Sequence, residues 1–133
     1  MVRRAGIIAF LSLGLLDPAP LRAVFGTLQT AEIIVTDERI QHIKERHPED
    51  YSLFQQYGPC TVQSPDLILQ DIKHAGTIFA VRRLPETNLN LVVRLALETD
   101  EPGHKNSVMT FYRIRDKNLR KLIEKCPMLY KRE

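Results

Sequence analysis

The sequence predicts an α+β fold, with N-terminal helices packed on one face of a twisted four-stranded antiparallel sheet, a helix near the C-terminus, and the other face partly open. Three observations carry this expectation. The chain has 133 residues, 44% apolar and 26% charged, which suits one folded domain and lies far from disordered compositions. Four runs between Leu67 and Ile114 are rich in Ile, Val, Leu and Phe and are separated by short turns, as in an antiparallel meander. Stretches with helical periodicity precede and follow them, at 37–47 and 116–126.

Taken in order, residues 1–30 read as a strand-and-loop extension and residues 31–133 as the core of a single domain. Arg3 and Arg4 before the apolar run Ala5–Leu16 imitate a secretory signal, so export or delivery as an effector stands as an alternative to a cytoplasmic location. Twelve residues are too few to span a bilayer, however, and Asp17-Pro18-Ala19-Pro20 follows without a small-x-small cleavage site. A buried strand running into a loop is therefore expected, with no membrane partner. Glu32-Ile33-Ile34-Val35 is a short strand, and Thr36-Asp37-Glu38 supplies a cap and an acidic first turn for a helix to about His47, where Pro48 stops it. Glu49–Tyr57 reads as a short helix ending at Gly58-Pro59. Strands follow at Leu67–Ile72, Thr77–Arg83, Leu89–Leu97 and Ser107–Ile114. Asp116 then caps a helix through Cys126, with Leu119, Leu122 and Ile123 on one face, and Pro127 closes it before a tail, Met128–Glu133.

The first helix contains two histidines. At about 100° per residue from Ile40, Ile43 lies near 300° and His47 near 340°, whereas His42 lies near 200° and Arg46 near 240°. His47 is thus expected on the apolar stripe toward the sheet, and His42 with Arg39 and Arg46 on the polar flank. Their i, i+5 spacing is wrong for helical zinc chelation, which wants i, i+4. Two roles stand for His47: a core histidine bonded to a backbone carbonyl, or a general acid or base.

Alternation on the strands adds a cation and hydroxyls. Leu91, Val93, Leu95 and Leu97 share one face, so Arg94 projects to the other, while Thr110 and Tyr112 share a face and Ser107 begins its strand. An arginine beside hydroxyls on an open sheet face suits a phosphate cradle; an edge arginine with β-favouring threonines gives the same pattern without a ligand.

Several chemistries are excluded by motif. There is no G-x-x-x-x-G-K or G-x-G-x-x-G loop, Pro59-Cys60 lacks the second cysteine of a zinc deaminase, and no carboxylate cluster suggests magnesium. Cys60 and Cys126 are far apart and read as two reduced thiols. No metal and no cofactor are expected. Charge is unevenly spread: Arg113–Glu133 carries eight basic against three acidic residues, a net +5, and the other 112 residues sum to −2. Such a positive end fits a polyanion surface or a solvated amphipathic helix.

Five blocks carry a family resemblance. Ile33 to Glu49, containing His42-Ile43-Lys44-Glu45-Arg46-His47-Pro48-Glu49, is followed by Ser64-Pro65-Asp66-Leu67-Ile68, Val92-Val93-Arg94-Leu95, Lys105-Asn106-Ser107-Val108-Met109-Thr110 and Leu129-Tyr130-Lys131. In that order, across residues 30–133, they resemble the phage-type Barnase/EndoU/colicin/RelE-like (BECR fold) nucleases. The resemblance implies a metal-independent endoribonuclease, a phage or mobile-element toxin or effector, with RNA (tRNA included) as substrate and a cognate inhibitor or immunity protein as a further partner. It implies His47, Arg94, Ser107, Thr110 and Tyr130 as catalytic residues. His42, Arg46, Lys105, Lys121, Lys125 and Lys131 are the expected substrate contacts. A non-catalytic nucleic-acid-binding or phage accessory protein on the same scaffold is the alternative.

Overall fold

The structure, a computed structural model, describes residues 2–5 and 8–133; residues 6 and 7 of the strand expected over Ala5–Leu16 lie outside them. The four expected runs form β4 (Leu67–Gln70), β5 (Thr77–Arg83), β6 (Asn88–Arg94) and β7 (Asn106–Ile114). They pair antiparallel with their chain neighbours, Phe79 facing Val92 and Leu91 facing Phe111. Period-2 alternation places Leu89, Leu91 and Val93 in the main core and turns Arg94 to the opposite face.

The expected four-stranded antiparallel sheet is corrected by what lies beyond this meander. Together with β1 (Val2–Ala5), β2 (Ile8–Leu15), β3 (Glu32–Thr36) and β8 (Met128–Lys131), the described residues form one eight-stranded sheet in the order β1-β2-β3-β7-β6-β5-β4-β8. It is mixed, because β3 runs parallel to β7 through the pairs Ile33↔Asn106 and Ile34↔Ser107. A bare meander leaves two edges of unpaired N–H and C=O groups, and the chain covers both. The Ile33-Ile34-Val35 run covers β7. The supposed tail covers β4, tied by Gln70 N–H to Pro127 O at 2.9 Å and Arg132 N–H to Asp66 O at 2.8 Å.

The helices are α1 (Arg22–Phe25), α2 (Asp37–Arg46), α3 (Pro48–Gln63) and α4 (Asp116–Lys125). Ile40 and Ile43 of α2 and Phe54 and Val62 of α3 pack on one face of the sheet; Phe54 stacks on Phe111 with ring centroids 4.6 Å apart. The other face is more covered than expected. Leu119 of α4 packs with Leu67, Val81 and Ile114, and Leu122 and Ile123 reach Leu69, Phe79 and Cys126.

Three local expectations are also corrected. Thr36 caps α2 as predicted, its hydroxyl accepting from Arg39 N–H at 3.2 Å, but His47 is not on the apolar stripe. Pro48 excludes the helical region for the residue before it, so His47 leaves the helix at φ −139°, ψ 63° and is exposed at the α2–α3 junction. Next, α3 does not end at Gly58-Pro59. An interior proline costs about 3 kcal/mol, but continuing the helix buries Val62 and Thr61, comparable in size, and brings Gln63 Nε2 to Leu13 O at 3.1 Å. Thr61 donates its hydroxyl to Tyr57 O at 2.7 Å. Finally, Asp116 does not cap α4: Arg115 holds the cap position without a side-chain bond, and Asp116 Oδ1 accepts from Asn88 Nδ2 at 2.8 Å.

Candidate functional site

Arg94 ends β6 in a row with Thr77 of β5 and Ser107 of β7 on either side. Its guanidinium lies over the backbone of Gly76, where a Cβ would come within 2.6 Å of Nη1 and where φ is +70°, so both space and conformation call for glycine. Asp100 grips the fork from the β6–β7 loop, with Nη2 to Oδ1 at 3.0 Å and Nη1 to Oδ2 at 3.4 Å, and Nη1 also donates to Leu95 O. The Leu97 N–H donates to Asp100 Oδ2 at 2.7 Å. That backbone bond, first, and then the Arg94 bond and the charges of Arg94 and His104 hold the Asp100 carboxyl below its usual range, against the opposing effect of burial.

The loop is itself fastened from the N-terminal side. Gln29 donates its backbone N–H to Ala96 O and its Nε2 to Leu97 O and Glu101 O, and its Oε1 accepts from Gly103 N–H. A preorganised arginine results, with its charge largely matched by Asp100 and its remaining N–H groups fixed in direction.

The structure brings together part of the expected catalytic set. Ser107 faces Arg94 across the strand pair, and Thr110, opposite Val92, lies further along the same face. A register shift between Val92 and Val93 leaves Met109 as an extra residue in β7, and both Met109 and Thr110 are exposed. His47 stands at the α2–α3 junction, on the face that holds Ile40 and Ile43, with the sheet between it and Arg94. Tyr130 is half-buried on β8 beside Ile68, three strands from β6 and also on the α3 face.

The expected substrate contacts are dispersed. His42 lines a shallow groove on the outer side of α2 with Thr36 and Arg39, and Arg46 is exposed at the end of that helix. Lys105 is half-buried with its ammonium 5.2 Å from the Phe10 ring centroid. Lys121, Lys125 and Lys131 are exposed. On α4, Lys117, Arg120, Lys121 and Lys125 all face solvent, and among the described residues none of them forms an ion pair. If this helix meets phosphates, Lys121→Glu with Lys125→Glu is expected to weaken RNA binding and to flatten the plot of log affinity against log salt by roughly 1.4, two contacts at about 0.7 each for a single strand. Affinity measured from 50 to 200 mM salt checks this, and an unchanged slope marks the helix as merely solvated.

Sequence reasoning missed Asp100 and His104. Both sit in the segment between β6 and β7, of which Glu101-Pro102-Gly103-His104 reads only as a turn; the available signal was a histidine three residues before Ser107. No group of three or more His, Cys, Asp or Glu residues is placed to hold a metal among the described residues. Burial, and then the charge of Asp71, push the Cys126 thiol up, away from the thiolate. Among the described residues no helix is long and apolar enough to cross a membrane. In comparison with known proteins, no family model, no curated protein and no solved structure matches the chain.

Proposed function

We propose that this chain is a metal-independent endoribonuclease that holds the reacting phosphodiester on the sheet face carrying Arg94, Ser107 and Thr110. The observation that carries the reading is the Arg94–Ser107 pair, a fixed guanidinium directly across two strands from a hydroxyl, on the face away from α2 and α3. In metal-free RNA cleavage the 2′-oxygen attacks the adjacent phosphorus as a base removes its proton. The bond to the 5′-oxygen breaks, that oxygen takes up a proton, and a 2′,3′-cyclic phosphate remains. Arg94 and the two hydroxyls supply donors to the non-bridging oxygens, where charge builds in the transition state. Asp100 orients Arg94 and lowers its net charge, so affinity for the polyanion falls to the basic surface of α4 and β8.

His47 and Tyr130 lie across the sheet from this cluster, and His104, in the same loop as Asp100, is the imidazole assigned to take the 2′-hydroxyl proton. The 5′-oxygen leaves with a proton from solvent. Incubation of total RNA with the protein in excess EDTA tests the reaction: cleavage is expected to persist and to leave cyclic phosphate ends. Loss of cleavage on chelation, restored by a divalent ion, would overturn it. The Arg94–Asp100 pairing also favours a second reading, in which a guanidinium already matched by a carboxylate serves binding alone. Intact RNA that is nevertheless retained by the protein selects that reading.

A further inference from the structure

One end of the sheet carries a row of polar side chains on the face away from α2 and α3. Ser107 of β7 faces Arg94 of β6, and Arg94 in turn faces Thr77 at the start of β5. The row continues one strand further, to Asp71. Leu67 and Leu69 of β4 lie on the α4 side, so alternation turns Asp71 to that side as well. Its N–H donates to Thr77 O at 3.0 Å, and its charge reaches the Cys126 thiol, which packs there with Leu69 and Phe79. With strands about 4.8 Å apart, Asp71 stands roughly 10 Å from Arg94 along the row.

Asp71 is 7% exposed and organises the β4–β5 turn. Its Oδ1 accepts from Lys73 N–H at 2.9 Å, and its Oδ2 lies 2.8 Å from Nδ1 of His74, whose side chain is 73% exposed. A carboxylate only accepts, so Nδ1–H donates to it; the ring is fixed in direction and Nε2 is the nitrogen left to exchange a proton. The same turn includes Gly76, over whose backbone the Arg94 guanidinium lies and whose carbonyl accepts from Leu95 N–H at 2.8 Å. His74 is two residues from that contact, a reach of roughly 7 Å. A carboxylate–imidazole pair therefore stands on the β5 flank of the fixed arginine. His104, three residues before Ser107, comes from the opposite, β7 flank.

In-line displacement puts the entering 2′-oxygen and the departing 5′-oxygen on opposite sides of phosphorus, so the base and the acid must approach from two flanks. We propose that His74, oriented by Asp71, is the general acid of the reaction, giving its Nε2 proton to the 5′-oxygen as the bond from phosphorus to that oxygen breaks. On the other flank His104 takes the 2′-hydroxyl proton as the 2′-oxygen bonds to phosphorus. His74 recovers its proton from solvent, and His104 releases the one it took. The inference rests on the ribonuclease reading above and deepens it, naming the group that hands the solvent proton on. Asp71 is a positioning residue, acting through the imidazole.

The test compares two labelled RNAs in excess EDTA. They are identical except that one carries sulfur in place of the 5′-oxygen at the bond the wild-type chain cuts. A thiol pKa near 8.5 lets sulfur leave as thiolate, so that substrate needs a base but no acid. His74→Asn keeps an N–H placed like Nδ1 for Asp71 and removes the exchanging nitrogen. It is expected to cleave the oxygen substrate about 10²- to 10⁴-fold more slowly than wild type and the sulfur substrate within about threefold of it. His104→Gln is expected to slow both substrates alike. Should His74→Asn not fold, His74→Ala is expected to show the same split. Equal loss on both substrates makes the Asp71–His74 pair structural, and an undiminished rate on the oxygen substrate leaves protonation to water alone; either result overturns the assignment and leaves the ribonuclease reading standing. A wild-type chain that cuts neither RNA overturns both.

Discussion

His104→Gln is expected to lower the rate of RNA cleavage by about 10²- to 10⁴-fold, the usual worth of one positioned general acid or base, while the melting temperature stays within a few degrees of wild type. The side chain is exposed and its structural bond is made by its backbone N–H, which donates to Glu101 O at 3.2 Å, so little packing is lost. Glutamine keeps hydrogen-bonding capacity but exchanges no proton near neutral pH. His47→Gln is the informative partner. On the helical wheel His47 belongs to the core stripe and any substitution there harms folding, but the residue is exposed at the α2–α3 junction with the sheet between it and Arg94. The rate of this variant is expected within about threefold of wild type. Rates on a labelled RNA, with binding and melting measured alongside, decide between the two histidines. A large loss in His47→Gln with none in His104→Gln would return proton transfer to the α2–α3 junction and displace the reacting phosphate from the Arg94 face.

What was legible in the sequence is what depends on near neighbours in the chain. The boundaries of β5 coincide with the expected Thr77–Arg83, and α2 has its predicted cap, because alternation and capping are local rules. The outward direction of Arg94 follows from the same alternation, whereas its clamp does not. Asp100 and Gly76 reach it through a loop and a neighbouring strand, and no period encodes those approaches. The sheet was under-counted for a related reason. Met128-Leu129-Tyr130 is too short to announce a strand, and β3 pairs in parallel with a segment more than 70 residues away. The error at His47 is different in kind: the proline rule that ended the helix also governs the residue before it, and the wheel angle had extended a geometry which Pro48 forbids.

The Asn-Ser-x-x-Thr block combines both kinds of information in adjacent residues, and its first member carries the largest stability prediction. Asn106→Asp is expected to destabilise the fold by about 3–5 kcal/mol, a fall in melting temperature of roughly 10–20 °C for a domain of this size. Asn106 is fully buried where β7 meets β3. Its Nδ2 donates to Thr30 O at 2.8 Å and Glu32 O at 2.9 Å, and its Oδ1 accepts from Ala96 N–H at 2.7 Å. One amide therefore joins the N-terminal extension, the β6–β7 loop and the only parallel strand pair among the described residues. A carboxyl of the same shape keeps the acceptor but sets its second oxygen against two carbonyl oxygens. Ionised, it is a buried charge repelled by both; protonated, its single O–H satisfies one of them and leaves the other short of a donor. Burial raises the folded-state pKa of that new carboxyl above its unfolded value near 4, so the unfolded state gives up its proton first and the penalty grows as pH rises from there. Thermal melts at pH 4.5 and pH 8 are expected to show the smaller loss at the lower pH. A uniform loss below 1 kcal/mol at both values would mean that the amide does not hold β3 to β7, and the clamp on the Arg94 loop would then depend on Gln29 alone.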